Sequence, residues 1–262
     1  YKVITALNNT DGPVPKSYTL CEDEDIIGTP FYIMEFKEGR VLWDPAMEES
    51  DFEEAKGVYL SMNESIAKLH SVDYEKAGLE NFGKPGNYVG RQVSRWSKQY
   101  IDSETENIES MNNLIKWLPD NLPAEKQTSI VHGDYRNGNF LFEGKHITGI
   151  LDWEMAHIGD PLEDLGWALS EIWCWEKKET PAYLIPRKEA LGIWTQESQI
   201  EIDEDSLLWW ELFACVKGLA IWISAGHEFS TGKNSDPVNL FSAWLPGDIH
   251  SEIILNKLEN LL

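Results

Sequence analysis

Positive charge is scarce in this chain of 262 residues: 22 lysines and arginines stand against 45 aspartates and glutamates, a formal net charge of −23. Such a chain repels phosphate backbones and anionic lipid headgroups, so nucleic acid and a membrane surface are not expected as partners. The acid lies in short runs, Glu22 to Asp25, Glu48-Glu49 and Glu201 to Asp205, the pattern of a solvated surface rather than of one binding tail. Cysteine is scarce too. Cys21, Cys174 and Cys215 are far apart and without C-x-x-C spacing, which excludes a disulfide framework or a structural zinc site and points to a reducing, cytoplasmic compartment. No signal peptide is visible, and the longest apolar stretch, Leu207 to Ala225, is broken by Glu211 and Lys217, as expected of a buried helix rather than a membrane span.

What is present is a change of period along the chain. An apolar-periodic start (Tyr1, Ile4, Leu7) reads as the second half of a helix, and the chain opens on Tyr rather than Met, so a fragment of a longer protein is expected. Two strands are expected at Ser17 to Cys21 and Phe31 to Phe36, joined by the acidic turn Glu22 to Gly28. From Ser50 the spacing becomes helical: Phe52, Ala55, Tyr59, Met62, Ile66 and Leu69 recur at steps of three and four, behind a capping box of Ser50 and Glu53. Further helices are expected over Asn87 to Tyr100, Glu104 to Leu118, Pro161 to Trp175, Leu207 to Gly226 and Ile249 to Leu262. Between them lies one β region, Ile130-Val131, Phe140 to Phe142 and Ile147 to Leu151, with Glu143-Gly144 as a hairpin turn. The sum is a small β-rich lobe followed by a larger, mainly helical one.

The polar residues that carry chemistry cluster at one turn. His132-Gly133-Asp134 leaves a buried strand, Asn139 leads into the next one, and Asp152 closes the hairpin that follows. Asp134 and Asn139 are spaced as are the base and the metal-binding Asn of a kinase catalytic loop, and Asp152 falls where such enzymes keep a magnesium-binding Asp. Phosphoryl transfer needs such parts because its transition state is mostly charge to be positioned and neutralised. Hard oxygens from Asn139 and Asp152 suit magnesium, and the Arg136 guanidinium suits a phosphoryl group in flight. Singly, each residue has a plainer explanation: a turn, a bridged loop, a closed strand. Their joint order favours catalysis, except at His132, where a packed, hydrogen-bonded role is favoured. Downstream, Asp160, Pro161 and Glu163 are expected to cap a helix as N-cap, N1 and capping-box partner. Asp164, one step further on, either turns back onto the loop backbone or lies exposed. The tryptophans at 173, 175, 194, 209, 210 and 222 are read as core more readily than as a pocket.

His132-Gly133-Asp134-x-Arg136-x-x-Asn139, then Asp152-Trp153-Glu154, then Gly159-Asp160-Pro161-x-x-Asp164-Leu165 resembles the aminoglycoside phosphotransferase and choline kinase-like superfamily. Phe31 to Arg40, Leu69 to Asp73 and Arg91 to Tyr100 are similar to the kinase-like domain fused to acyl-CoA dehydrogenases in some animal proteins, and to its bacterial stand-alone relatives. The resemblance implies an α+β, protein-kinase-like two-lobe fold, with a partial N-terminal lobe over 1–36 ending at a hinge and a catalytic lobe over 37–262. It implies ATP and Mg2+ as cofactors and a small-molecule hydroxyl acceptor, from the aminoglycoside, choline, homoserine, sugar or hydroxyacyl-CoA classes. Met34 would stand at the gatekeeper, with the Glu35 carbonyl and Lys37 amide holding adenine. Asp134 and Arg136 would be catalytic, Asn139 and Asp152 metal ligands, and His132, Asp164 and Glu154 their supports. No G-x-G-x-x-G or V-A-I-K-like segment occurs in the chain. The resemblance places those parts before Tyr1, so weak ATP binding is expected of the chain as it stands, and a non-catalytic nucleotide-binding protein or a metal-dependent hydrolase are the alternatives.

Overall fold

The computed structural model describes residues 1–10, 12–41, 52–83, 86–104, 107–173 and 185–259. A short helix, α1 (Lys2–Leu7), precedes an antiparallel pair, β1 (Ser17–Cys21) and β2 (Phe31–Met34), in which Leu20 faces Tyr32. Tyr18, Ile33 and Met34 of this pair are exposed. Helix α1 looks the other way. Its Val3 and Leu7 join Val14, Leu69, Leu79 and Ile130 in a small separate core.

The larger part is helical. Helix α2 (Phe52–His70) buries the stripe its spacing predicts, with Ala55, Tyr59, Met62, Ile66 and Leu69 all out of solvent. Around it stand α3 (Tyr88–Ser103), α4 (Glu109–Asp120), α5 (Leu162–Ala168), α6 (Arg187–Ser198), α7 (Glu204–Ser230) and α8 (Pro237–Glu259). Helix α7 is the axis, packed against α3, α4, α5 and α8. It is long and apolar enough to cross a membrane, but its apolar window is 83% buried in the protein. A helix enclosed on all sides has no need of a polar face. Asp203 starts it, accepting the Ser206 amide at 3.1 Å. Its two interrupting charges are both paired. Glu211 meets Lys257 of α8 at 2.8 Å and Arg187 of α6, and Lys217 meets Glu163 of α5 at 3.3 Å.

Four short strands lie between α4 and α5. β3 (Ser129–Val131) pairs with β6 (His157–Gly159), and β4 (Phe140–Glu143) pairs with β5 (His146–Ile150). The single β region expected from the sequence is thus two separate antiparallel pairs, because Ile130-Val131 bonds to a strand whose His-Ile-Gly sequence carries no alternation to reveal it. The hairpin turn is Gly144-Lys145, one residue later than expected, with Gly144 at φ 56° where a side chain would be strained. Arg40 exchanges both backbone hydrogen bonds with Phe142, at 3.0 and 2.9 Å, so the chain leaving β2 is laid along the hairpin. A Cβ on Gly39 (φ 148°) would stand 3.0 Å from both Leu141 Cβ and Thr148 Oγ1.

Other boundaries moved. The expected 104–118 helix begins at Glu109 and runs through Pro119. The expected 161–175 helix is, as far as residue 173, α5 plus one 3-10 turn, Glu171–Trp173, and its last two residues lie outside the described ones. The last helix starts at Pro237 rather than 249, since Pro suits a first turn whose N–H groups have no partner. Helix α6 was not expected; its Pro186 start and its stop at Gln199, in a left-handed conformation, are weak signals. Ser50, the expected cap of α2, lies outside the described residues.

Helix α5 crosses α7 closely enough that a Cβ on Gly166 would lie 2.8 Å from the Trp210 carbonyl carbon and 3.0 Å from the Glu211 nitrogen. Gly166→Ala is expected to lower stability by about 1–3 kcal/mol through overpacking. Gly192→Ala, in the open on α6, is expected to raise it by about 0.5–1 kcal/mol. Urea unfolding of both variants checks the pair, and equal shifts would contradict the close crossing.

Candidate active site

Strand β3 sets Ile130 and Val131 into the core and releases the chain at His132. There the backbone turns around one carboxylate. Asp164 of α5, fully buried, accepts the His132 amide at Oδ2 (2.7 Å) and the Gly133 amide at Oδ1 (2.8 Å). His70, the last residue of α2, adds a third contact from Nε2 to Oδ2 at 3.1 Å. Its Nδ1 accepts the Trp194 indole N–H at 3.0 Å, so the proton given to Asp164 sits on Nε2. Burial alone would raise the Asp164 pKa, but the His70 contact, with those of His132, outweighs it and lowers it, keeping a carboxylate. Gly133 is at φ 86°, and a Cβ there would stand 2.6 Å from the Met155 carbonyl oxygen, so the turn requires glycine.

His132 is a strut. Its Nδ1 accepts the Asp134 amide at 3.2 Å and its Nε2 donates to the Leu151 carbonyl at 2.8 Å, tying the loop to the end of β5. Burial pushes its pKa down, which keeps the ring neutral. Asp134 itself is 16% exposed and held by three donors. Trp167 Nε1 reaches Oδ1 at 2.9 Å, while Asn139 Nδ2 (2.7 Å) and Arg136 Nε (3.2 Å) reach Oδ2. Arg136 therefore leans on Asp134, its guanidinium carbon 5.9 Å from the centre of the Trp173 ring.

The hairpin brings the metal-ligand candidates together. The register that pairs Phe140 with Ile150 continues one step through Leu151 N–H to the Asn139 carbonyl at 2.8 Å. Asn139 and Asp152 therefore leave the hairpin at the same end. The Asn139 amide nitrogen is committed to Asp134, which turns its Oδ1 the other way. Asp152 is exposed, its carboxylate makes no hydrogen bond among the described residues, and it sits at φ 62°, ψ 58°, a left-handed conformation uncommon outside glycine. One amide oxygen and one unpaired carboxylate fit magnesium, which takes few protein ligands beside phosphate and water. Among the described residues no three His, Cys, Asp or Glu side chains converge as a zinc site would need.

The remaining expected positions divide. Met34 ends β2 and is 42% exposed. Beyond it the Glu35 amide donates to the Lys16 carbonyl at 2.7 Å, and the Glu35 carboxylate takes the Lys16 amide (3.1 Å) and the Lys37 ammonium (3.2 Å). The Glu35 carbonyl and Lys37 amide have no partner among the described residues. Glu154 is exposed on the 3-10 turn Trp153–Met155, and no described hydrogen bond ties it to the loop.

Glu163 corrects an expectation. It caps nothing: Asp160 alone takes the Leu162 amide, at 2.9 Å, and Glu163 turns into the core. There Tyr88 donates to it, His157 Nε2 lies at 3.2 Å and Lys217 Nζ at 3.3 Å. Burial would raise its pKa, but the His157 and Lys217 charges with the His157 and Tyr88 hydrogen bonds hold it at about 2. Burial would likewise lower His157, yet the Glu163 charge and hydrogen bond, with the Met155 carbonyl, raise it. Sequence reasoning missed Trp167, His70, Tyr88 and His157 as partners. Lys217 alone had a signal, a charge inside an apolar helix.

A family model described as "Phosphotransferase enzyme family" matches residues 1–202. Mouse acyl-CoA dehydrogenase family member 10 is 41% identical over 170 residues, 64% of this chain but only 16% of the mouse protein. A Ralstonia eutropha JMP134 protein, provisionally assigned as an aminoglycoside phosphotransferase, has a TM-score of 0.87 at 34% identity, over 99% of this chain and 82% of its own. A thermostable mutant of aminoglycoside phosphotransferase APH(4)-Ia, solved with AMP-PNP and hygromycin B, has a TM-score of 0.63 at 15% identity, over 98% of this chain and 81% of its own, which speaks for the kinase-like fold.

Asparagine in place of Asp164 offers one acceptor oxygen to three donors. Asp164→Asn is expected to lose about 3–5 kcal/mol, read by urea unfolding, because a buried N–H would then face an N–H. Glu163, like Asp164, contributes to the acid limb. Its folded pKa of about 2 lies below the ordinary 4.5, so its contribution is full above pH 4.5 and fades as pH falls toward 2. The stability of Glu163→Gln is expected to fall less steeply over that window than the wild type, and parallel curves would contradict the assignment.

Proposed function

Because the chain belongs to the phosphotransferase enzyme family, we propose that it transfers the γ-phosphoryl group of ATP to a hydroxyl group of a small molecule, with magnesium. The observation that carries this reading is the Asp134 carboxylate, fixed by Trp167, Asn139 and Arg136 yet still open to solvent, at the end of the hairpin where Asn139 and Asp152 also emerge. Asp134 takes the proton as the acceptor oxygen bonds to phosphorus and ADP leaves. Its three donors hold the carboxylate in one orientation, which removes the cost of aligning it in each turnover. Asn139 Oδ1 and the Asp152 carboxylate would hold magnesium, which when bound neutralises charge on the phosphate oxygens. Arg136, parked on Asp134 and Trp173, is within a side chain's length of the same space and supports the transferring group. The Glu35 carbonyl and Lys37 amide offer adenine an acceptor and a donor two residues apart along the backbone, with Met34 beside them.

Among acceptors, a hydroxyacyl-CoA is the class to test first, supported by the likeness to a protein named for acyl-CoA dehydrogenation. An aminoglycoside is second. The fold is shared with an enzyme solved with hygromycin B, but the acid of this chain is global and selects no polycation.

An ATP-consumption screen of the protein with the phosphate-gripping parts expected before Tyr1 included, against hydroxyl-bearing compounds with a hydroxyacyl-CoA and an aminoglycoside among them, tests the reading. Transfer is expected to fall by at least ~100-fold in Asp134→Ala, the scale of losing a general base. Asp152→Ala is expected to need more magnesium for half-maximal rate. An unchanged rate in the first variant removes Asp134 from the mechanism; ATP binding without turnover in the wild type favours a non-catalytic protein.

A further inference from the structure

Lys217 is 1% exposed in the middle of α7, where a leucine would fill the same space without the cost of removing an ammonium from water. The ion pair with Glu163 accounts for part of it, at 3.3 Å, and Lys217 shares that carboxylate with His157 and Tyr88. Apart from the Trp96 ring of α3, 5.8 Å away, its other contacts lead to the catalytic loop. Lys217 Nζ donates to the Gly133 carbonyl, and it lies 4.9 Å from the centre of the Trp167 ring.

The Gly133 carbonyl belongs to the peptide unit that enters Asp134. The N–H of that same unit is the Asp134 amide, which donates to His132 Nδ1 at 3.2 Å. One peptide plane is therefore held at both edges, by a cation on its oxygen and an imidazole on its hydrogen. The hold matters because Gly133, at φ 86°, has no Cβ to resist rotation of the plane. The second contact acts on the side chain. The ring beneath the ammonium is the one whose indole N–H bonds Asp134 Oδ1 at 2.9 Å, and a buried cation over an indole face is attracted to it and helps keep it there.

We propose that Lys217 is a positioning residue for Asp134: it locks the Gly133–Asp134 peptide plane through its carbonyl and the Asp134 carboxylate through Trp167. Its consequence for rate rests on the reading of Asp134 as the base; its consequence for loop geometry does not.

The test replaces the cation without stranding its partner. In Lys217→Met with Glu163→Gln, no charge of the pair is left buried, and the protein is examined by hydrogen exchange and by the Trp167 indole resonance, identified by its loss in Trp167→Phe. Backbone amides over 132–139 are expected to exchange at least ~10-fold faster and the indole resonance to shift, with α7 and the β4–β5 hairpin as protected as before. Glu163→Gln alone is expected to keep the loop protected, since Lys217 still holds Gly133. Where ATP-dependent transfer is measurable, kcat is expected to fall at least ~10-fold in the double variant with KM for ATP unchanged. Wild-type protection and indole resonance in the folded double variant would overturn the proposal, as would a loosened loop with unchanged kcat. Should the double variant not fold, the wild type decides: the Asp134 amide is expected to exchange only on global unfolding, and rapid local exchange overturns the proposal. Absence of transferase activity with the phosphate-gripping parts present sinks the proposed reaction and leaves the exchange result to decide Lys217.

Discussion

One buried carboxylate, that of Asp164, organises the loop that carries the proposed base. A turn that leaves a core strand and must not pair with a neighbouring strand presents amides that cannot stay unbonded inside the protein. Asp164 collects two of them, from His132 and Gly133, and anchors itself to His70. Each anchor belongs to a different element: the loop follows β3, Asp164 rides on α5, His70 ends α2, and Trp194 of α6 fixes the His70 ring. The long-range packing of four elements is thereby converted into the orientation of two peptide groups. That arrangement requires ionised Asp164 and neutral His132, and the directions in which burial and hydrogen bonding move their pKa values agree with both.

From that fixed turn the rest of the site follows by short steps. His132 reaches from the loop to the Leu151 carbonyl, and Leu151 in turn bonds Asn139, so loop, hairpin start and hairpin end are joined through one ring and one ladder bond. Asp152 comes next in the chain and leaves the ladder in a left-handed conformation, with its carboxylate unbonded among the described residues. An aspartate in a left-handed turn whose carboxylate is unpaired among the described residues is held there by no side-chain bond of its own. Asp134, by contrast, has every oxygen occupied by a donor, which favours orientation over mobility.

The sequence made the loop legible because its residue types and intervals are dictated locally. Asp134 to Asn139 spans one turn, and the hairpin to Asp152 has a fixed register. What was not legible depends on residues far apart in the chain. His70 and Asp164 are 94 positions apart and Lys217 and Gly133 are 84 apart, and no local pattern tells which buried polar residues will meet. Glu163 shows the failure most clearly. Its position after Asp160 and Pro161 fits a capping box, but α7 passing over α5 offered it an ammonium, and tertiary contact overrode the local motif. Strand β6 escaped for the same reason: three residues with no alternation become a strand only because β3 is there to pair with.

The charges inside α7 show how such long-range information is partly recoverable. A helix enclosed on all sides by others gains stability from apolar residues at every position, so each charge it keeps must be matched by a partner of equal specificity. Glu211 is matched by Lys257 and Arg187, cations of α8 and α6, and the effect is to pin two neighbouring helices. Lys217 differs, because only part of its bonding capacity goes to the acid opposite. Beside the Trp96 ring, it also meets a backbone carbonyl one residue before the proposed base and the face of the indole that holds it. A charge that serves architecture alone would be expected to end on its counter-charge. One that ends on the loop of the proposed base is a link by which the core of the helical lobe sets the geometry of the site.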